Sequence, residues 1–402
     1  MVGYVTFTKK SSDENIIGFS DTIPNGFGVS IHFTGNPIDI KLIRDSGIKI
    51  VRRDIFWSDV EKVKGQYEFE STGYDQLTDA LIENNIRPYY ILNYSNSLYE
   101  NNKSIVTVKG KKAYLNYVDQ VTSRYKNKNI IWEIWNEPNV EDHWYPQPSI
   151  NAYSELVKEV SIVIKKNDPN GIVVAPALAG LNDESLKWLD GILQKGMLEF
   201  IDAVSVHPYR VDKPETVIED YEKLKLLLNK YTDKNISIIS GEWGYPDIKG
   251  WGDLELDQNG QARYLARMFL VNLYANVPVS IWYDWINDGT NPNNGEHNFG
   301  LRSTDVNIPK LSSIALTTLS QTLKGFNLDK RIDVGNEEDY VLVFKNKEDE
   351  IRIAAWSTNS QHVINLPISK GGTMISLYND NLGKIKNNEV LISESPIYIQ
   401  FN

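Results

Sequence analysis

The chain has no cysteine among its 402 residues. Disulfides, thiolate zinc sites and cysteine nucleophiles are therefore excluded together, and the redox compartment is left open. Histidine is scarce, with five scattered residues and no HExxH pair. There is no excess of positive charge either: 42 Lys and Arg against 53 Asp and Glu give a formal net charge of -11. Without clustered cations to neutralise phosphates, nucleic acid and other polyanions are excluded as general partners. Long apolar runs are missing. The longest, IVVAPALAGL, falls far short of the ~20 residues a membrane span needs, so no membrane span is expected. The N-terminal MVGYVTFTKKSSDENIIGFS has no apolar h-region, although a leader already removed would leave no trace. Internal repeats and low-complexity tracts are absent as well.

What is present is alternation. Short apolar runs, GFGVSIHF (26–33), IKIVRRDIFW (48–57), RPYYILNY (87–94), IIWEIWNE (130–137), IVVAPAL (172–178), DAVSVHPY (202–209), ISIISGEW (236–243) and PVSIWYDW (278–285), are separated by stretches of helical period. PIDIKLIRDSG has Pro37 at its first turn and Gly47 as a stop, and QARYLARMFLVNLYAN carries apolar residues three and four apart. Eight such strand–helix units predict an α/β fold, a (β/α)8 TIM barrel over residues 26–323. After IPKLSSIALTTLSQTL the period becomes two, as in YVLVFKNKEDEIRIAAW and EVLISESPIYIQF. This predicts a small C-terminal antiparallel β-domain, sandwich-like, over 324–402. Residues 1–25 fit no barrel unit, and their YVTFT reads as an extension adding a strand to that β-domain.

Two of the predicted barrel strands end in a carboxylate. Strand four closes with Asn136, Glu137 and Pro138, and strand seven with Glu242 between Gly241 and Gly244. In a parallel barrel the C-terminal strand ends form the mouth where active sites are built. Eight strands ~4.8 Å apart and tilted ~36° give a barrel of radius roughly 7.5 Å, which brings inward glutamates on strands four and seven to roughly 6 Å. Retaining glycoside hydrolysis uses carboxyls about 5–5.5 Å apart and the inverting route about 6.5–9.5 Å. The estimate leaves both open. A single glutamate at a strand end is more often solvated or ion-paired; the pair is what points to chemistry.

The motifs EIWNEPN and SGEWGYP resemble the acid/base and nucleophile motifs of retaining glycoside hydrolases of clan A. KIVRRDIFWSDVEKVKGQYEFESTGYDQLTDALIENNIRPYYILNY and SIWYDWINDG … HNFGL are similar to family 39 and its exopolysaccharide-cleaving endoglycosidase relatives, over about residues 24–323. The resemblance implies Glu137 as acid/base and Glu242 as nucleophile. It also implies that Arg52 on strand two orients the nucleophile; by alternation Arg53 faces away, and the plainer reading of Arg52, a buried pair with Glu133, can hold at the same time. Asn136 is implied to bond a sugar 2-hydroxyl. His207 and Tyr209 are implied at substrate and nucleophile, although a lone histidine is more often core. Trp282 is implied as the floor beneath the sugar next to the cleaved bond, and His32 and Asn93 as further sugar contacts, with Tyr94 a weaker one.

Most of the ten tryptophans fall at or just beyond a predicted strand end, namely Trp57, Trp135, Trp144, Trp243, Trp251, Trp282 and Trp285. There a flat ring can stack on a sugar face. Of these Trp57, Trp243 and Trp285 join Trp282 as expected sugar contacts. Glu296, in the polar segment NDGTNPNNGEHN (287–298), is a further expected hydroxyl ligand; the segment lacks the regular carboxylate spacing of a calcium loop, so no metal is expected there.

The expectation is thus a retaining glycosidase, independent of metal and cofactor, acting on a β-linked polysaccharide or oligosaccharide. Endo action on a bacterial exopolysaccharide is preferred. An exo-acting β-xylosidase, or a barrel that only binds carbohydrate, stands as the alternative. A secreted or cell-envelope setting is expected, and the oligomeric state is not legible.

Overall fold

The computed structural model describes residues 19–34, 36–367 and 371–401. Its centre is a closed parallel barrel. The strands are β1 (Phe27–Ser30), β2 (Ile50–Phe56), β3 (Arg87–Asn93), β4 (Ile131–Ile134), β5 (Ile172–Ala179), β6 (Ala203–His207), β7 (Ser237–Trp243) and β8 (Ser280–Trp282), each paired with its sequence neighbours and β8 closing onto β1. Helices Pro37–Asp45, Tyr74–Glu83, Val108–Tyr125, Ile150–Asn167, Asp183–Leu193, Val217–Leu228, Gln258–Tyr274 and Leu311–Thr322 follow the strands in turn. Local signals set their ends. Asn36 caps the first helix by accepting from Ile38 N–H, Pro37 opens it, and Gly47 takes the left-handed φ of 90° just past its end.

Several strands are shorter than their apolar runs. The first covers Phe27–Ser30, the fourth stops at Ile134 and the eighth at Trp282, so the polar residues that end each run lie on connecting segments. The lumen is filled by Ile50, Tyr89, Ile131, Ile172, Val174, Ala203, Ile239 and Ile281, contributed by strands β2 through β8. Residues of the opposite parity pack outward into the helices. The period of two therefore decides which side chain can reach the mouth.

Beyond the barrel, strands β9 (Asn327–Arg331), β10 (Asp339–Lys345), β11 (Ile351–Ser357), β12 (His362–Asn365), β13 (Gly372–Ile375), β14 (Asn381–Lys384), β15 (Glu389–Ile392) and β16 (Ile397–Phe401) are antiparallel. Six form one sheet in the order β9-β10-β11-β16-β13-β14, and β12 and β15 form a separate ribbon. Alternation divides this sheet too. Tyr340, Leu342, Phe344, Ala354, Trp356 and Tyr398 join the barrel's outer core, while Val341, Val343, Ile353, Ala355, Ile397 and Ile399 form a second core with Ile364, Val390 and Ile392 of the ribbon. The extra strand expected near YVTFT lies outside the described residues. Residues 19–26 hold only turns and irregular backbone. Among the described residues no helix is long and apolar enough to cross a membrane.

Candidate active site

The first carboxylate reaches the mouth by leaving the barrel wall. After Ile134 the chain places Trp135 at φ 68° and Glu137 at φ 51°, left-handed conformations that cost non-glycine residues about 1–3 kcal/mol each and cluster at functional sites. Glu137 N–H is then pinned to the Ala177 carbonyl at 3.2 Å.

The second carboxylate arrives through a register irregularity. Ser280 pairs with Ser240 but Trp282 pairs with Trp243, so β7 carries one residue more than β8 over that interval. Ile239 faces the lumen, and strict alternation would send Gly241 and Trp243 inward with it and Glu242 outward. The bulge inverts this: Trp243 packs into the outer core and Glu242 turns into the mouth. The flanking glycines serve close approach rather than a positive φ. A Cβ on Gly241 would lie 3.1 Å from the Tyr89 hydroxyl, and one on Gly244 would lie 2.1 Å from the Tyr283 carbonyl oxygen.

Arg52 joins the two. Its Nε and Nη2 donate to Glu133 Oε2 at 2.9 and 2.7 Å, Nη1 to Glu242 Oε2 at 2.5 Å, and Nη2 to Asn136 Oδ1 at 2.8 Å. Both readings of Arg52, partner of Glu133 and orienter of Glu242, hold at once. Burial pulls the guanidinium down, but the carboxylates of Glu133 and Glu242 more than offset it and hold Arg52 well above its usual value. Glu133, fully buried, is completed by the Tyr89 hydroxyl at 2.7 Å. Arg53 points away, toward the Phe33 carbonyl and Asp54.

Each oxygen of Glu137 meets an imidazole, His207 Nδ1 at 2.8 Å on Oε1 and His143 Nε2 at 3.2 Å on Oε2. The His207 tautomer follows from its surroundings. Its Nε2 lies 3.3 Å from Arg52 Nη2, a cationic group that cannot accept, so the ring proton sits on Nδ1 and donates to Glu137. Asn136 Nδ2 donates to the Tyr94 oxygen at 3.1 Å, the Tyr94 hydroxyl is hydrogen-bonded to His143 Nδ1 at 2.9 Å, and His143 Nε2 stands 3.2 Å from Glu137 Oε2. Burial pushes the Glu137 carboxyl up, yet the His207 hydrogen bond and the neighbouring His207, His143 and Arg52 outweigh it and hold the group below its usual value. Glu137 thus holds one imidazole hydrogen bond, from His207, and has a second imidazole beside its other oxygen. One oxygen each of Glu137 and Glu242 and one His207 nitrogen lie within 4.8 Å of one another.

The other expected residues divide. Tyr209 donates to Glu242 Oε1 at 2.9 Å, as expected. His32 stands at the rim, half-exposed, with Nδ1 2.9 Å from Asp288. Glu296 accepts from the Tyr283 hydroxyl at 3.3 Å on the exposed edge. Asn136 reaches the site, its amide shared between Arg52 and Tyr94. His207 is fully buried and acts on Glu137, so a direct substrate contact is corrected to a contact with the carboxylate. Asn93, also fully buried, holds Asp54 at 2.6 Å and is corrected from sugar contact to support for that aspartate.

The four tryptophans are corrected together. Trp57, Trp243, Trp282 and Trp285 are all 0 % exposed and belong to the barrel's outer core. The Trp57, Trp282 and Trp285 indoles donate to Glu61, the Phe299 carbonyl and Asp39, and the Arg210 guanidinium lies over Trp243. Ile281 occupies the lumen, so Trp282 faces the other way and Tyr283 faces in. Tyr283, Tyr209 and Trp251 each meet Phe299 edge-on, with centroids at 5.3, 6.1 and 5.3 Å. Tyr283 and Phe299 were not expected. Counting alternation back from a lumen isoleucine would have found Tyr283; His143, on the segment after β4, left no periodic signal.

Comparison with known proteins places this geometry. A family model described as cellulase, glycosyl hydrolase family 5, matches residues 13–289. Among solved structures, a family 39 glycoside hydrolase from the gut symbiont Bacteroides cellulosilyticus WH2 superposes with TM-score 0.82 at 24% identity, covering 95% of this chain and 82% of that one. A family 39 β-xylosidase from Caulobacter crescentus gives TM-score 0.67 at 16% identity over 96% and 98% of the two chains. A family 30 endoxylanase from Clostridium papyrosolvens C71 gives 0.67 at 15% identity over 96% and 98%. These structures share the fold, and the clan A likeness read from the two glutamate motifs agrees with them. With the family model spanning most of the barrel and a pair of glutamates facing each other in its mouth, the chain belongs to the cellulase family, glycosyl hydrolase family 5, and is a clan A glycosidase acting on carbohydrate.

Proposed function

We propose that the protein cleaves a β-linked polysaccharide or oligosaccharide with retention, Glu242 attacking the anomeric carbon and Glu137 serving first as acid and then as base. The observation that carries this reading is the pair itself. Oxygens of Glu137 and Glu242 approach within 4.8 Å, compatible with the carboxyl separation of about 5–5.5 Å at which a covalent glycosyl intermediate forms.

Their surroundings also support different roles. Glu242 is fixed on both oxygens, by Arg52 and Tyr209, as a nucleophile that must hold one trajectory requires. Glu137 has Oε1 bound to fully buried His207 and Oε2 shared with part-exposed His143, so Oε2 is the oxygen a leaving group can approach. When Glu137 takes a proton, the negative charge of Glu242 helps to keep it, and esterification of Glu242 removes that help as Glu137 turns base.

The preference for endo action rests on the likeness of the barrel motifs to exopolysaccharide-cleaving endoglycosidases. Chain length does not separate the cases, because the Caulobacter β-xylosidase is matched over 98% of its length; that match favours exo cleavage of a xyloside as the second reading. The test is incubation with bacterial and plant polysaccharides and with aryl β-glycosides, followed by product sizing and anomeric NMR. Products that form first with the substrate's configuration, and a Glu242→Ala variant that is inactive but folded, are expected. Initial inversion would overturn retention, large early fragments identify endo action, and monosaccharides identify exo action. Binding without turnover by the wild type would leave only a carbohydrate-binding barrel.

A further inference from the structure

At the rim of the mouth, on the segments that follow β1 and β8, stands a second cluster, which holds His32 together with two aspartates that the glycosidase reading does not use. His32 Nδ1 lies 2.9 Å from Asp288 Oδ2 and 3.7 Å from Asp284 Oδ2, and one donor atom from each of the three residues falls within 4.8 Å of the other two. Asp284 is the anomaly. It is 2 % exposed, and among the described residues its Oδ1 has no hydrogen-bond partner.

A buried carboxylate is stable only when paired, hydrogen-bonded or bound to a metal. The cations near Asp284 have closer partners. Lys310 directs its ammonium to Asp247 at 2.7 Å, the Asn298 carbonyl at 2.9 Å and Asn287 at 3.3 Å. His32 directs Nδ1 to Asp288. The carboxylate thus turns Oδ2 toward an imidazole nitrogen beside a second carboxylate, while Oδ1 finds no proton donor among the described residues.

We propose that His32, Asp284 and Asp288 bind a divalent metal ion. One imidazole nitrogen and two carboxylates form a mixed N/O donor set suited to a borderline or hard ion such as Zn²⁺ or Mn²⁺. Ligand bonds of about 2.0–2.2 Å place neighbouring donors about 3 Å apart, the separation His32 and Asp288 already have. Three protein ligands leave positions open toward the cleft, where Asp288 and His32 are partly exposed. The ion would compensate Asp284 and fasten the residue after β1 to the segment after β8. Spacing within 287–298 could not show this site, because its ligands come from two distant parts of the chain.

The test is calorimetric titration of EDTA-stripped protein with MnCl₂ alone, independent of any activity. One Mn²⁺ per chain is expected, weakened at least tenfold by Asp284→Asn and by Asp288→Asn, and unchanged in Glu242→Gln. The asparagine variants keep side-chain shape, and unaltered circular dichroism shows that they fold. Should Asp284→Asn not fold, Asp288→Asn alone decides. No Mn²⁺ binding up to millimolar concentration, binding that survives the asparagine substitutions, or binding lost in Glu242→Gln each overturns the proposal. In the last case the ion belongs to Glu137, His207 and Glu242. None of these outcomes bears on whether the chain is a glycosidase.

Discussion

Tyr209 donates a 2.9 Å hydrogen bond to Glu242 Oε1, the oxygen that Arg52 leaves free by binding Oε2. Burial, with the nearby Glu242 charge, holds the phenol well above its usual value, so Tyr209 remains a donor throughout. The bond matters most when Glu242 departs as a carboxylate from the glycosyl-enzyme. A hydrogen bond to a charged group contributes about 1.5–3 kcal/mol, so Tyr209→Phe is expected to slow deglycosylation roughly 10- to 100-fold. With an activated aryl glycoside, kcat and KM fall together and a burst of phenol appears. A fall in kcat/KM at unchanged kcat would contradict this role.

His143 bears on the protonation of Glu137 from 3.2 Å away. Its proximity favours the ionised carboxylate and is one of the influences holding Glu137 below its usual value against burial. Removing it leaves burial less opposed, so Glu137 keeps its proton to higher pH. In His143→Ala the basic limb of kcat/KM is therefore expected to move upward. At low pH, where Glu137 is protonated in both proteins, the rates should agree within about tenfold. A basic limb that stays in place or moves down would show that His143 does not act on Glu137.

The barrel was legible because β-branched and aromatic residues recur at barrel spacing. Glu137 and Glu242 were legible because each ends such a run beside residues that stop a strand. What the runs could not convey was facing. One extra residue on β7 turns Glu242 in and Trp243 out, and the same parity sends Trp282 outward and Tyr283 inward. Trp57 and Trp285 share the strand-end position of a sugar platform, yet their indoles are consumed by Glu61 and Asp39. Irregular segments hid more. His143 and Asp288 gain meaning only from what they touch.

Arg52 serves Glu133, Glu242, Asn136 and His207 through one planar fork. A lysine keeps the charge but offers a point donor on a flexible stem. Arg52→Lys is expected to fold and to lose at least about 100-fold in kcat/KM, since misplacing the nucleophile by about 1 Å costs that much. Arg52→Ala should be far less stable, because it strands the fully buried Glu133 at a cost of about 3–5 kcal/mol. Thermal melts beside steady-state rates separate the two effects. Near-wild-type activity in Arg52→Lys would show that charge alone suffices.

The C-terminal sheet is fastened to the barrel through Glu215, where Arg267 Nε and Nη2 donate to Oε1 and Oε2 at 2.7 and 2.6 Å. Trp356, on β11, adds an indole N–H to Oε1 at 2.7 Å. Arg267 is 0 % exposed, so Glu215→Ala leaves a buried cation with the Tyr264 ring, its centroid 5.1 Å from the guanidinium carbon, and the more distant Glu394 charge. The expected loss is about 3–5 kcal/mol. Trp356→Phe keeps the aromatic stack on Tyr340 and gives up one hydrogen bond to a charge, about 1.5–3 kcal/mol. Replacing both charges, as Glu215→Leu with Arg267→Met, should recover most of the loss, because apolar packing of similar volume can substitute for a buried ion pair. Urea unfolding followed by tryptophan fluorescence measures all three. If the double variant proves less stable than Glu215→Ala, the pair contributes more than it costs to bury, and the attachment of sheet to barrel is electrostatic rather than a matter of packing.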